Sequence, residues 1–318
     1  MISYSIIIPH YNTPDFLIRC LNSIPQRDDI QIIVVDDYSN KNTIDRLNGM
    51  KAMFPHVTFL YSEKNGGAGA ARNIGLKHAS GKWVLFADAD DYFLNEAFPI
   101  FDSHLNNEED AILFGNKSVS NKGKTNTRGN FINNNINYYK RNLISSQLAF
   151  LCTWVPWAKM IKLNFIRKND FKFEEIKYGN DVFWNTQIAA GTEMIAIFRD
   201  PVYAITQEEK SLTTRRDSKA FRIRYNAFKN VNQYLKKHNK TNLTQAITLE
   251  FASWAREIGL LFYIFFLFNS IKENLVFEGK DQWITFAKIN RNFLCLHPTL
   301  FLFILFFTPS YLLKIRRR

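Results

Sequence analysis

Asp88-Ala89-Asp90 places two carboxylates two residues apart, directly after a short apolar run from Trp83 to Ala87. Paired carboxylates repel each other unless a cation or protons neutralise them. Mg2+ or Mn2+ takes oxygen ligands and combines one or two carboxylates with substrate phosphates. A metal–diphosphate site held by Asp88 and Asp90 therefore accounts for the pattern. An Asp-x-Asp alone is more often a turn or a helix N-cap, but the buried strand before it and Asp91 after it move the balance towards chemistry. Asp36 and Asp37 close another apolar run, where a carboxylate accepts hydrogen bonds from a base N–H or from ribose hydroxyls. The competing role, capping the next helix, could fall to Ser39 instead. In Asn65-Gly-Gly-Ala-Gly-Ala-Ala-Arg-Asn73 the glycines permit close backbone approach and the following helix start favours anions. Arg72 could there meet a phosphate or brace the acidic cluster. The segment is neither a Walker loop nor GxGxxG, which weighs against kinase, ATPase and dehydrogenase chemistry. Asp181, preceded by Asn180, stands at an apolar helix start, where an acid can act as general base towards a hydroxyl. Spacing alone favours a plain N-cap at that position.

These residues need a scaffold that gathers them. Strand signals at 5–8, 30–35, 57–61 and 83–87 alternate with helical spacing at 16–24, 44–53 and 70–79. Pro9 is expected to stop the first strand, and residues 66–69 to form a loop. Nearly continuous Ile and Val in 30–35 suits a strand buried on both faces. The alternation predicts an α/β fold, a mostly parallel sheet flanked by helices. Ligands of such sheets bind beyond the carboxyl ends of the strands. There the chain carries His10-Tyr11-Asn12, Asp36-Asp37 and Asp88 to Asp91. Further helices are expected at 181–190 and 213–240, and an exposed, Asn-rich loop at 116–137.

Ser5-Ile-Ile-Ile-Pro-His-Tyr-Asn12, Ile33-Val-Val-Asp-Asp37, Gly69-Ala-Ala-Arg-Asn73 and Phe86-Ala-Asp-Ala-Asp-Asp91 follow the order and spacing of family-two glycosyltransferases of the GT-A fold. The chain resembles that family over residues 1–210. The resemblance implies an inverting transfer of a sugar from a nucleoside-diphosphate sugar, by analogy a UDP-sugar, to a hydroxyl of a glycan or lipid-linked acceptor. It implies Asp37 as the contact to the nucleotide base, with Pro9, Tyr11 and Asn12 lining the same pocket. Asp88 and Asp90 resemble the metal and ribose–diphosphate motif, Asp90 being the better ligand for Mn2+ or Mg2+. Asp181 sits where the family carries its catalytic base. One departure stands out: the family usually has Glu-Asp where this chain has Asn180-Asp181. The cellular role that the resemblance implies is assembly of a surface glycan such as lipopolysaccharide, capsule or exopolysaccharide.

Lys and Arg number 41 against 29 Asp and Glu, a net +12 that fits nucleic acid, anionic lipid or a phosphorylated substrate. No zinc-finger spacing, basic-region heptad or RNA-binding aromatic signature accompanies it, so no nucleic-acid partner is expected. Cys20, Cys152 and Cys295 are odd in number and far apart, which argues for free thiols in a reducing compartment. The N-terminus lacks a basic leader, and its apolar run is too short for a signal peptide. The expected location is cytoplasmic, peripheral at the inner face of the cell membrane. Residues 1–210 are expected to form the nucleotide-sugar-binding and catalytic domain, and 211–318 a mainly helical, basic, Phe-rich region. Within the latter, the apolar runs 258–268 and 300–307 fall short of the roughly 20 residues that span a bilayer. Both suit core helices or a membrane interface. The terminal Lys314-Ile-Arg-Arg-Arg318 tips the balance towards peripheral contact with an anionic membrane surface. Trp154, Trp157 and Trp184 could stack on acceptor sugars or fill the core. Lys159, Arg215 and Arg216 could meet the diphosphate or be solvated. A catalytically silent scaffold on the same fold is the alternative of a different class, against which intact Asp88, Asp90 and Asp181 argue. A sugar nucleotidyltransferase is disfavoured because His10-Tyr11-Asn12 replaces the glycine-rich basic loop it requires after its first strand.

Overall fold

The computed structural model describes residues 1–119, 127, 129–206, 217–245 and 247–272. Its centre is one eight-stranded sheet. Strands β1 (Tyr4–His10), β2 (Ile30–Asp36), β3 (Val57–Tyr61) and β4 (Trp83–Phe86) form the parallel half, in the order β3-β2-β1-β4. Beyond β4 the sheet is mixed. It continues through β7 (Lys159–Lys162), β6 (Ala111–Val119), β8 (Ile195–Thr206) and β5 (Tyr92–Phe93). β7 runs antiparallel to both β4 and β6, so β6 and β8 point the same way as β1. The carboxyl ends of β1, β2, β4, β6 and β8 and the amino end of β7 therefore share one edge.

The strands form where the chain is apolar without a break. Ile6, Ile7 and Ile8 of β1 and Ile32 to Val35 of β2 are at most 1% exposed, as expected when both sheet faces are covered. Each such side chain contributes about 1.5–3 kcal/mol by leaving water. β1 runs through Pro9 instead of stopping there. Ala87 N donates to Ile7 O, so the odd-numbered residues of β1 face β4. The pairing with β4 ends at Ile7 and Phe86, so Pro9 has no ladder acceptor on the side where its N–H is missing.

Helix α1 (Pro14–Asn22) opens with Pro at its first position, where no N–H is needed. α2 (Lys41–Met53) is capped by the Asn40 side chain, which accepts from Thr43 N at 2.9 Å. α3 (Gly67–His78) packs against β1 and β2 and begins inside the expected glycine loop. After α4 (Ala97–Ser103) comes α5 (Asn130–Lys140), a helix that begins inside the stretch expected to be an exposed loop and runs three residues past it. Ile132 and Ile136, four residues apart, are buried on one face of α5, and that pair outweighs the poor helix propensity of its asparagines. Asn116 to Val119 likewise extend β6. α6 (Ser146–Leu151), α7 (Leu163–Lys168), α8 (Asn180–Gly191), α9 (Ser218–Lys237), α10 (Ile247–Ile258) and α11 (Leu260–Lys272) complete the described elements. Gly259, at φ 156°, separates α10 from α11. Among the described residues no helix is long and apolar enough to cross a membrane. The expected boundary at residue 210, Arg215, Arg216, the run 300–307 and the basic tail lie outside the described residues.

Candidate active site

At the ends of β1 and β2 the two adjacent aspartates have different surroundings. Asp36 is 1% exposed, and its Oδ1 accepts from His10 Nδ1 at 2.8 Å and from Ser39 Oγ at 2.6 Å, while Oδ2 accepts from Ser39 N at 2.8 Å. Burial pushes its carboxyl up, but these bonds outweigh burial and hold it below the ordinary aspartate value. His10 Nε2 accepts from Thr13 N at 3.2 Å, so the ring proton lies on Nδ1, towards Asp36. Asp37 faces α3, where Oδ1 accepts from Gly66 N at 2.8 Å and Oδ2 from Gly67 N at 2.7 Å. Burial raises its carboxyl despite those bonds. Asn12, at φ 53°, donates from its backbone N to Ser39 Oγ at 2.9 Å and accepts from Asn40 N through Oδ1 at 3.0 Å. It thus ties the end of β1 to the start of α2. Two aromatics stand open beside this network: Tyr11 is 51% exposed and Tyr38, held at φ 63°, is 60% exposed. A bulky residue in the left-handed region costs of order 1–3 kcal/mol and marks a constrained position.

Arg72 joins three elements. From α3 its Nη1 donates to Asn180 Oδ1 at 2.9 Å, at the start of α8, and its Nη2 donates to Asp88 Oδ1 at 2.7 Å, after β4. The guanidinium also lies 5.3 Å from the centre of the Phe173 ring. Gly69 permits the approach of α3 to the chain leading into α8, since a Cβ there would stand 2.3 Å from Glu174 O. Carboxylate oxygens of Asp88, Asp90 and Asp91 lie within 4.8 Å of one another. This all-oxygen donor set fits a hard divalent cation. Asp88 and Asp90 are partly exposed, whereas Asp91 is fully buried and accepts from Thr206 N at 2.8 Å through Oδ1. Arg19 Nη2 and Thr206 Oγ1 both donate to Asp90 O, and Asp88 N donates to Tyr203 Oη at 2.8 Å. The turn carrying the carboxylates is thereby fixed from α1 and β8.

Asp181 lies in the first turn of α8, partly exposed. Burial pushes its carboxyl above the ordinary aspartate value, Arg72 and Lys159 oppose that, and Asp88 adds to it. Asn185, one turn on, donates to Asp181 O at 2.7 Å and accepts from Lys159 Nζ. Lys159, 1% exposed at the start of β7, also donates to Thr153 O at 2.6 Å and Val155 O at 2.8 Å. Burial pulls its pKa well down. Three oxygen acceptors around Nζ nevertheless call for three N–H donors, which only the ammonium possesses.

The structure thus brings Arg72, Asp88, Asp90 and Asp181 together at one edge, with Pro9, Tyr11, Asn12 and Asp37 at the ends of the neighbouring strands. It turns Asp36 inward onto His10 and Ser39. Lys159 does not face a diphosphate: its ammonium is committed to protein oxygens. Trp157 and Trp184 are core residues, 2% and 0% exposed, stacked on Tyr203 and Phe173. Trp154 is half-buried, edge-on to Phe228 at 5.0 Å. Sequence reasoning missed Tyr38, Arg19, Thr206 and Asn185. Only Tyr38 left a signal, an aromatic directly after Asp37 in a turn.

Residues 5–160 match the family model described as Glycosyl transferase family 2. The poly(ribitol-phosphate) beta-glucosyltransferase of Bacillus spizizenii is 30% identical over 206 residues, which cover 63% of this chain and 31% of that protein. Residues 1–349 of Staphylococcus aureus TarS in complex with UDP-GlcNAc share the fold, with a TM-score of 0.65 at 19% identity over 94% of this chain and 90% of that one. The mannosyltransferase PcManGT of Pyrobaculum calidifontis, in complex with GDP-Man and Mn2+, aligns with a TM-score of 0.54 at 15% identity, over 91% of this chain and 86% of that one. The chain spans 31–35% of the length of three of the poly(ribitol-phosphate) transferases it matches. With the family match on residues 5–160, the fold of TarS and the carboxylate edge between β4 and α8, residues 5–160 belong to glycosyl transferase family 2 and the chain has the GT-A fold.

Proposed function

We propose that this chain is an inverting glycosyltransferase that moves a sugar from a nucleoside-diphosphate sugar, a UDP-sugar by analogy with the UDP-GlcNAc bound to TarS, to a hydroxyl of a cell-surface glycan. The observation that carries the reading is the Arg72 bridge, which sets Asp88 beside the first turn of α8, where Asp181 lies. The base enters between Tyr11 and Tyr38, whose open ring faces suit stacking. Asp37, at the end of β2, receives the base N–H, and Asp36 holds the turn that presents it. Asp88 and Asp90 present their oxygens to Mn2+ or Mg2+, which when bound supplies positive charge against the departing diphosphate. Arg72 adds its guanidinium to the same charge. Asp181 takes the proton of the acceptor hydroxyl as that oxygen bonds to the anomeric carbon. The bond from that carbon to the diphosphate breaks on the opposite face, and the nucleoside diphosphate leaves with its electron pair. A carboxyl raised by burial is a better proton acceptor than an ordinary aspartate.

Residues 1–210 perform this reaction, with 211–318 as an attached region whose described residues form α9, α10 and α11. A polyanionic acceptor, a polyol-phosphate polymer like that named for the Bacillus and Staphylococcus relatives or another phosphorylated envelope glycan, suits the net charge of +12. The reaction is proposed to take place in the cytoplasm. The test is nucleoside-diphosphate release from UDP-, GDP- and dTDP-sugars, with and without Mn2+, by the wild type and by Asp90→Ala. Metal-dependent release from one donor, lost in the variant, supports the reading. No release, together with no metal-dependent nucleotide binding by calorimetry, removes it in favour of a silent scaffold.

A further inference from the structure

α11 has two faces of opposite fate although almost every residue in it is apolar. Tyr263, Phe266 and Leu267 are at most 5% exposed. Phe266 packs against Phe221 and Tyr225 of α9, and Phe262 meets Phe221 edge-on at 5.1 Å. On the outer side Leu260, Leu261, Ile264, Phe265 and Phe268 are 67%, 84%, 45%, 66% and 65% exposed. Their spacing, i, i+1, i+4, i+5 and i+8, makes one continuous stripe. The other large apolar side chains exposed among the described residues are scattered over the rest of the chain. Single exposed apolar side chains are ordinary, whereas a stripe of five marks a surface that meets something.

We infer that this outer face of α11 docks in the plane of an anionic lipid bilayer. Residues 217–272 carry nine Lys and Arg against one Asp and two Glu, so this part of the chain is net positive and complementary in sign to anionic headgroups. Lys219 and Arg222 are exposed on α9 on either side of Phe221, whose ring packs on the inner face of α11. An apolar helix face in a net-positive part of the chain, on a helix whose described residues are too few to span a bilayer, is the arrangement that lies at a membrane interface. The 46 residues that follow α11 in the sequence carry seven Lys and Arg against three Asp and Glu, so their net charge has the same sign. A second copy of the chain is a poorer occupant. Two copies meeting through this face would bring their net-positive helical parts together and repel. Membrane docking stands apart from the transferase reading, because vesicle binding is measured without turnover.

The experiment uses the full chain in flotation with phosphatidylglycerol-containing and pure phosphatidylcholine vesicles. The wild type floats with the anionic vesicles. Phe265→Glu/Phe268→Glu, and the milder Phe268→Ser, weaken that partition, the double variant by about tenfold or more. Tm and donor hydrolysis stay at the wild-type level. Equal binding by the wild type and both variants, absence of wild-type binding with a dimer seen by light scattering, or a large loss of Tm in Phe268→Ser would each overturn the inference. The last result would mean that the face is packed inside the protein.

Discussion

Replacing Arg72 by Lys keeps the charge and removes the fork. The two acceptors of Arg72 sit on different elements, Asn180 Oδ1 at 2.9 Å on α8 and Asp88 Oδ1 at 2.7 Å after β4. A single ammonium on a flexible stem reaches one of them, and the site is 4% exposed, so water does not readily replace the lost partner. A hydrogen bond from a charged donor is worth about 1.5–3 kcal/mol. Taking about 2 kcal/mol for the loss at Asn180, kcat/KM for the donor falls roughly 30-fold. Removing the charge altogether, in Arg72→Met, goes further. It withdraws the leading influence that opposes burial at Asp181. Because Asp181 must be ionised to accept a proton, activity is lost as pH falls through its already raised pKa. That acid limb therefore moves to higher pH in Arg72→Met. The assay is nucleoside-diphosphate release at limiting donor, followed across pH for the wild type and both variants. Two results would refute the reasoning: Arg72→Lys within about threefold of wild type, or an acid limb in Arg72→Met at or below that of wild type.

Lys159→Met strands the carbonyls of Thr153 and Val155 and the amide oxygen of Asn185, and should cost about 3 kcal/mol of stability after the relief of desolvating the ammonium. Urea unfolding reads this as a lower midpoint, and a loss under about 1 kcal/mol would show that the ammonium contributes little net stability. Asp36 has a pKa below its ordinary value when folded, so its bonds to His10 and Ser39 stabilise the protein above about pH 4 and are lost as pH falls through the lowered folded value. Asp36→Asn is therefore less stable than wild type near neutrality, with the gap closing in acid. A gap that stays constant from neutral to acid pH would mean that the ionised carboxylate is not what Asp36 contributes.

The parallel half of the sheet and its polar edge were legible because the signals are local. Unbroken Ile and Val in β1 and β2 demand burial on both faces, and the polar residues directly after them must then lie at the strand ends. The same locality explains the misses. Asparagine content predicted a loop where Ile132 and Ile136 fold α5 onto the sheet. Proline was expected to end β1, although only the position of its missing N–H relative to β4 matters.

The sequence by itself determined the alternation of strands and helices and the identity of the carboxylates at their ends. The tertiary structure decided which of them remain available. Asp36 is drawn onto His10 from another strand, while Asp37 meets two backbone N–H groups of the α3 entry. The bond from Arg72 to Asn180 crosses 108 positions of sequence, and Lys159 finds its third oxygen on Asn185, 26 positions away on α8. α11 is nearly all apolar, so no periodicity reveals its exposed face; its packing against α9 and α10 does. Strand and helix formation depend on neighbours in sequence, whereas burial, charge pairing and exposure depend on neighbours in space, which a one-dimensional pattern does not encode.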